Sequence, residues 1–234
     1  MARRKKTISR RRRWLKAALI AALLFVATSV LLVLPLIAVD PPTTAFMLQD
    51  DSGREPLMHE WVDWSALGTA MPLAVVASED QRFADHHGLD FKEIQRALAE
   101  VDERGSLRGA STLSQQTVKN LYLWPGRSYL RKGLEAWLTL VAELSLPKQR
   151  ILEIYLNVAE FGPGIYGVGA ASRHYFGKPP TALNDWEAAL LAAVLPNPRN
   201  LAVRNPSEKL RERQRWILGQ MARLRREGWI TRIG

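Results

Sequence analysis

No cysteine occurs anywhere in the 234 residues, which removes disulfides, a thiol nucleophile and thiolate metal sites together. Histidine is nearly as scarce: His59, His86, His87 and His174 are all there are, and no two stand four residues apart. Without a helical histidine pair, a dedicated zinc site is not expected. Repeats and runs of alternating apolar and polar residues are also missing, so the fold is expected to be mainly α. The first 16 positions contain no acidic residue.

That last absence locates the charge. A net charge of +10 suggests a nucleic-acid binder, but nine of the 33 Lys and Arg lie in those 16 positions, leaving 24 against 23 acids elsewhere. The excess is a tail and not a binding face, and nucleic acid is not an expected partner. Ala17 to Val39 then carries no charge, and Thr28 and Ser29 are its only polar side chains. At about 1.5 Å per residue this run makes roughly 35 Å of helix, enough to cross a hydrocarbon core of about 30 Å. A cleaved signal peptide has a shorter apolar stretch closed by an Ala-x-Ala site, which this run lacks. The expectation is therefore a basic cytoplasmic tail over 1–16, a retained transmembrane signal anchor over 17–39 and one outer domain over 40–234. The anchor is expected to supply location only, with Pro35 near its outer end.

Within the outer domain, residues 40–70 read as a linker and entry segment, with Pro41, Pro42 and a polar turn at Gly53. Helices are predicted from Pro72 into Glu79, from a capping box at Thr112 and Gln115 past Lys119, over Arg131 to Leu144, and over Lys148 to Asn157. Pro147 separates the last two. Gly162, Gly164, Gly167 and Gly169 mark an irregular segment before helices around Trp186 to Leu195 and Glu208 to Arg226. The last of these places Leu210, Ile217, Met221 and Leu224 on one stripe. Trp124, Trp137 and Leu140 read as core or interface, with dipping into a lipid leaflet as the alternative.

Two carboxylates with cations between them suit a displacement in which one takes a proton and the cations hold an anionic leaving group. Glu79, Asp80, Phe83, His86 and Gly88 fill every position of Glu-Asp-x-x-Phe-x-x-His-x-Gly. Ser111, Gln116, Lys119 and Asn120 follow in GASTLSQQTVKN, where Gln116, Lys119 and Asn120 share a helical face. Then come Arg127, Arg131, Lys132 and Glu135, and Lys148 before ILEIYLN. Taken singly, Glu79 reads as an exposed helix-terminal acid, the cations as solvated surface charges, and Lys132 with Glu135 as an ordinary surface ion pair. Together these stretches resemble the peptidoglycan glycosyltransferases, the family shared with the N-terminal domain of bifunctional penicillin-binding proteins, and in particular its monofunctional biosynthetic type.

That resemblance covers about Asp40 to the C-terminus. It implies a lysozyme-like, bilobal α-helical domain behind a single transmembrane helix, and polymerisation of lipid II into glycan strands. Glu79 is implied as the catalytic base and Glu135 as the second catalytic carboxylate. Ser111, Gln116, Lys119, Asn120, Arg127, Arg131 and Lys132 are implied around the diphosphate, where free N–H groups at the helix start near Thr112 are expected to assist. Asp80, Phe83, His86 and Lys148 are implied as supporting residues, His86 by orienting the loop that presents Glu79. No cofactor is required, although the family admits a divalent cation (Mg or Mn) at the diphosphate; no ligand set here specifies one. Implied partners are lipid II, the growing lipid-linked strand, the membrane and other cell-wall synthesis or cell-division proteins. The stretch from Ala159 to Lys178 resembles the Gram-negative type, which implies the inner membrane with a periplasmic domain. Rival readings are a glycan-cleaving lytic transglycosylase, which needs no diphosphate cations, and a silent assembly partner, which needs neither carboxylate. Ser145-Leu-Pro-Lys148 has a transpeptidase spacing, but Lys-Thr-Gly and Ser-x-Asn are absent, so it reads as a decoy.

Overall fold

The computed structural model describes residues 2–93, 95, 111–126 and 128–233, with side chains from residue 10 onward. It is mainly helical, as expected. Helix α1 (Ala2–Val33) runs from the basic tail through the apolar stretch, and Pro35 starts a short 3₁₀ turn, Leu34–Ile37, that ends it. Arg10–Ile37 is long and apolar enough to cross a membrane, and little of it is buried by the rest of the chain.

After a short helix α2 (Ala45–Leu48) and strand β1 (Met58–His59), helix α3 (Ala70–Glu79) is buried from Ala70 to Ala77. A helix apolar all round belongs in a core, and α3 is covered by α8 (Asp185–Val194) and α9 (Glu208–Arg226). A second group forms from α4 (Leu113–Tyr122), α5 (Tyr129–Ser145) and α6 (Lys148–Val158). Both groups contribute to one continuous apolar core. The Thr112 capping box closes as its spacing requires, and Pro147 occupies the N-cap position of α6.

Three expectations need correction. Residues 40–70 are no mere linker, because Val62 and Leu67 enter the core and both Val62 backbone groups bond to the Asn157 side chain. The glycine-rich stretch is ordered: β2 (Glu160–Gly162) and β3 (Ile165–Tyr166) lead into helix α7 (Gly167–Phe176). β3 pairs with β2 antiparallel and with β1 parallel, forming a three-stranded sheet. Gly167 permits that crowding, since its φ is +79° and a Cβ would lie 2.7 Å from the Asn157 carbonyl oxygen.

The third correction concerns α1, whose C-terminal end docks on the rest of the chain. Val33 and Leu36 are buried in the common core. Trp137 of α5 donates its indole N–H to Ser29 Oγ at 2.9 Å, and its ring lies 5.6 Å from that of Phe25. Tyr122 donates to the Leu32 carbonyl at 2.6 Å, while Arg150 donates to the carbonyls of Leu36 and Val39 and to Asp40. Trp137 is thus an interface residue against α1, whereas Trp124 is exposed.

Candidate active site

Glu79 is delivered by the last turn of α3, whose burial on all sides leaves the end of the helix little freedom. Its side chain retains 13% exposure. Oε1 accepts from Ser78 Oγ at 2.8 Å and from Arg213 at 3.1 Å, and Oε2 accepts from Gln116 Nε2 at 3.2 Å. Tyr155, buried in α6, donates its hydroxyl to Gln116 Oε1 at 3.1 Å and so turns the amide nitrogen toward Glu79. Burial, and then the charge of Glu79, raise the Tyr155 hydroxyl well above its ordinary range, so it stays a donor. A carboxylate offers about four acceptor positions. Three are filled, and the remaining one is on Oε2.

The rest of the first motif forms a knot beneath Glu79. The buried Asp80 carboxylate accepts from the Leu113 amide at 2.9 Å and from His86 Nε2 at 3.0 Å. The Gly88 amide donates to His86 Nδ1 at 3.2 Å, which makes Nε2 the protonated nitrogen. Gly88 itself has φ +84°, and a Cβ there would come within 2.6 Å of Thr139 Cγ2 on α5. Phe83 is fully buried, with Lys148 Nζ 4.5 Å from its ring centre. At the start of α4 two of the expected N–H groups are already engaged, the amides of Leu113 and Gln115 by Asp80 and Thr112.

Glu135 is no surface partner; its side chain is 2% exposed. Oε2 accepts from Arg131 at 2.6 Å, Oε1 accepts from Lys132 Nζ, and Lys132 also donates to Ser111 Oγ at 3.1 Å. Spacings of three and four residues along α5 put both cations over the carboxylate. Lys119, on the face of α4 that carries Gln116, has its pKa lowered by burial, with Glu135 as the largest opposing influence and Arg131, Lys132 and Glu79 also acting on it. Those couplings bring the two carboxylates and three cations into one electrostatic neighbourhood. Asn120 lies on the same helix, buried. Arg127 lies outside the described residues.

Lys148 bonds Glu143 Oε1 at 2.8 Å, and Ser114 donates to the same oxygen, so Lys148 is committed to a carboxylate on α5. Among the described residues no group of three or more His, Asp or Glu side chains is placed to hold a metal ion. Among the described residues the carboxylate bonded to Arg131 and Lys132, Glu135, has both oxygens engaged. This donor set does not fit a divalent ion. Sequence reasoning missed Ser78, Tyr155, Arg213 and Glu143. Arg213 reads as one more arginine on a basic helix, and only the pairing of α9 with α3 brings it to Glu79. Glu143 stands five residues before Lys148, a separation that crosses the Pro147 break and gives no signal.

Comparison with known proteins places the chain in a family. The family model described as Transglycosylase matches residues 48–222. A biosynthetic peptidoglycan transglycosylase of Xanthomonas campestris pv. campestris is 47% identical over 229 residues, covering 94% of this chain and 93% of its own. A protein of the same name from Aeromonas hydrophila is 50% identical over 217 residues, 91% of this chain and 90% of its own. Another from a Marinomonas species is 55% identical over 186 residues, 78% of this chain and 80% of its own.

Proposed function

The chain belongs to the transglycosylase family and is a peptidoglycan glycosyltransferase, and on that premise we propose that it polymerises lipid II with Glu79 as the general base. One observation carries the assignment: Glu79 is a nearly buried carboxylate with three protein donors and one acceptor position left, on Oε2. In this reading Oε2 takes the proton from the 4-hydroxyl of the acceptor's GlcNAc. The hydroxyl oxygen attacks the anomeric carbon of the donor's MurNAc, the bond from that carbon to the diphosphate breaks, and undecaprenyl diphosphate departs. Attack opposite the leaving group converts the α linkage to β.

Lys119, Arg131 and Lys132, with Ser111, form the region for the departing diphosphate, where fixed cations are worth most as charge develops. By resemblance Arg127 belongs there too. Glu135 serves as counter-charge, holding Arg131 and Lys132 in place. A lytic enzyme has no use for such a cluster. Residues 1–16 are assigned to the cytoplasm, 17–39 to the inner membrane and 40–234 to the periplasmic side.

The test uses the full-length protein in detergent with labelled lipid II, products being separated by size. Wild type is expected to give long strands. Glu79→Gln, which keeps the volume but accepts no proton, is expected to lose about 10²–10⁴-fold in rate. Activity within about tenfold of wild type would remove Glu79 from the base role, and shortening of added glycan would favour the lytic reading.

A further inference from the structure

We propose that Arg213 is a positioning residue for Glu79, holding the carboxylate by Oε1 so that Oε2 is presented to the acceptor hydroxyl. The inference rests on the reading of Glu79 as base and adds to it a residue on a different helix, 134 positions away in sequence.

The contact is a closed triangle. One Arg213 nitrogen lies 2.9 Å from Ser78 Oγ and 3.1 Å from Glu79 Oε1, and Ser78 Oγ lies 2.8 Å from the same Oε1. Two donors on one oxygen fix the rotation of the carboxylate, and Gln116 meets the other oxygen from the opposite helix group. The guanidinium accepts a poor environment to do this. Its Nε–H is buried with no acceptor among the described residues, an arrangement that calls for a reason. α9 and the segment after it repeat the pattern: Arg223 donates to Gln81 Oε1, and Arg232 donates to Asp85. Three arginines from the C-terminal segment thus engage residues 79–85, and Arg213 is the one that reaches the carboxylate itself. Lys119 of α4 and Tyr155 of α6 also lie within electrostatic reach of Glu79.

The experiment compares kcat and KM for lipid II in wild type, Arg213→Ala, Arg213→Lys and Arg232→Ala, each full length in detergent, with and without guanidinium ion at about 50 mM. Arg213→Ala is expected to lose about 10–100-fold in kcat with KM within about twofold, and added guanidinium is expected to restore part of it. Arg213→Lys keeps a charge but not the fork, so an intermediate kcat is expected. Arg232→Ala is expected to stay near wild type. Unchanged kcat in Arg213→Ala, a KM rise that accounts for the loss, absence of guanidinium rescue, or an equal loss in Arg232→Ala each overturns the proposal. Should Arg213→Ala fail to fold, Arg213→Lys decides alone: wild-type kcat overturns the proposal, and a lowered kcat at unchanged KM supports it. Glu79→Gln measured alongside separates the two readings, because a wild-type rate there removes the base assignment whatever Arg213 does.

Discussion

With Arg131 on one oxygen and Lys132 on the other, Glu135 is the group whose loss leaves two buried or half-buried cations facing each other. Glu135→Gln is expected to cost about 3–5 kcal/mol in stability, the usual consequence of removing one partner from a buried ion cluster, together with most polymerase activity. A urea titration beside the lipid II assay checks both; unchanged stability would mean that solvent screens the cluster. Lys119 behaves in the opposite sense. Burial lowers its pKa from the ordinary 10.5, so its protonated form is penalised in the folded state while both states carry the proton. That penalty fades as pH rises through the window between the lowered value and 10.5. Lys119→Met is therefore expected to raise the thermal midpoint at pH 7 while abolishing polymerisation, with the gain shrinking toward pH 10. A lower midpoint at pH 7 would show that the attraction of Glu135 and Glu79 outweighs burial. At this scale the site was largely legible, because the motif positions Glu79, Gln116, Lys119 and Lys132 keep their spacing on helices. Arg213 was not legible: its partner comes from an unrelated stretch of chain, and on α9 alone it is indistinguishable from the solvated arginines around it.

Among the elements, α1 was expected to be a tether, and its outer turns turn out to be part of the wall. Lipid and protein core both select Val and Leu, so composition cannot reveal which turn of an apolar run is packed against protein. The small sheet was hidden for another reason. Its strands have two or three residues, too few to show alternation, and β1 finds β3 more than a hundred positions along the chain. The docking makes a sharp distinction between two truncations. Removing residues 1–39 deletes Val33 and Leu36, each fully or nearly buried and worth about 1.5–3 kcal/mol, and strips carbonyl acceptors from Arg150. Removing only 1–28 keeps them. The longer deletion is expected to unfold several degrees lower in detergent and the shorter one close to wild type; equal midpoints would return the helix to the status of a tether.

For the molecule as a whole, the C-terminal segment closes the structure. Trp229 is 1% exposed, beyond the region matched by the family, and seals the core next to α9. Trp229→Ala is expected to cost about 3–5 kcal/mol, visible as a large drop in thermal midpoint, and a shift of only a degree or two would show that the chain end is dispensable. The other end of the chain has a consequence of a different kind. A helix held to lipid alone meets a thicker or thinner bilayer by tilting, at modest cost. Here Ser29, Leu32, Val33 and Leu36 are fastened to α5, α4 and α6 or to the core they share, so a lean of the helix pulls on the helices that surround Glu79. In the proposed topology, acyl-chain length becomes a setting on turnover. Reconstituted into phosphatidylcholines of increasing chain length, the enzyme should show a rate optimum that flattens when Trp137→Ala and Tyr122→Phe together remove the side-chain bonds to Ser29 and Leu32.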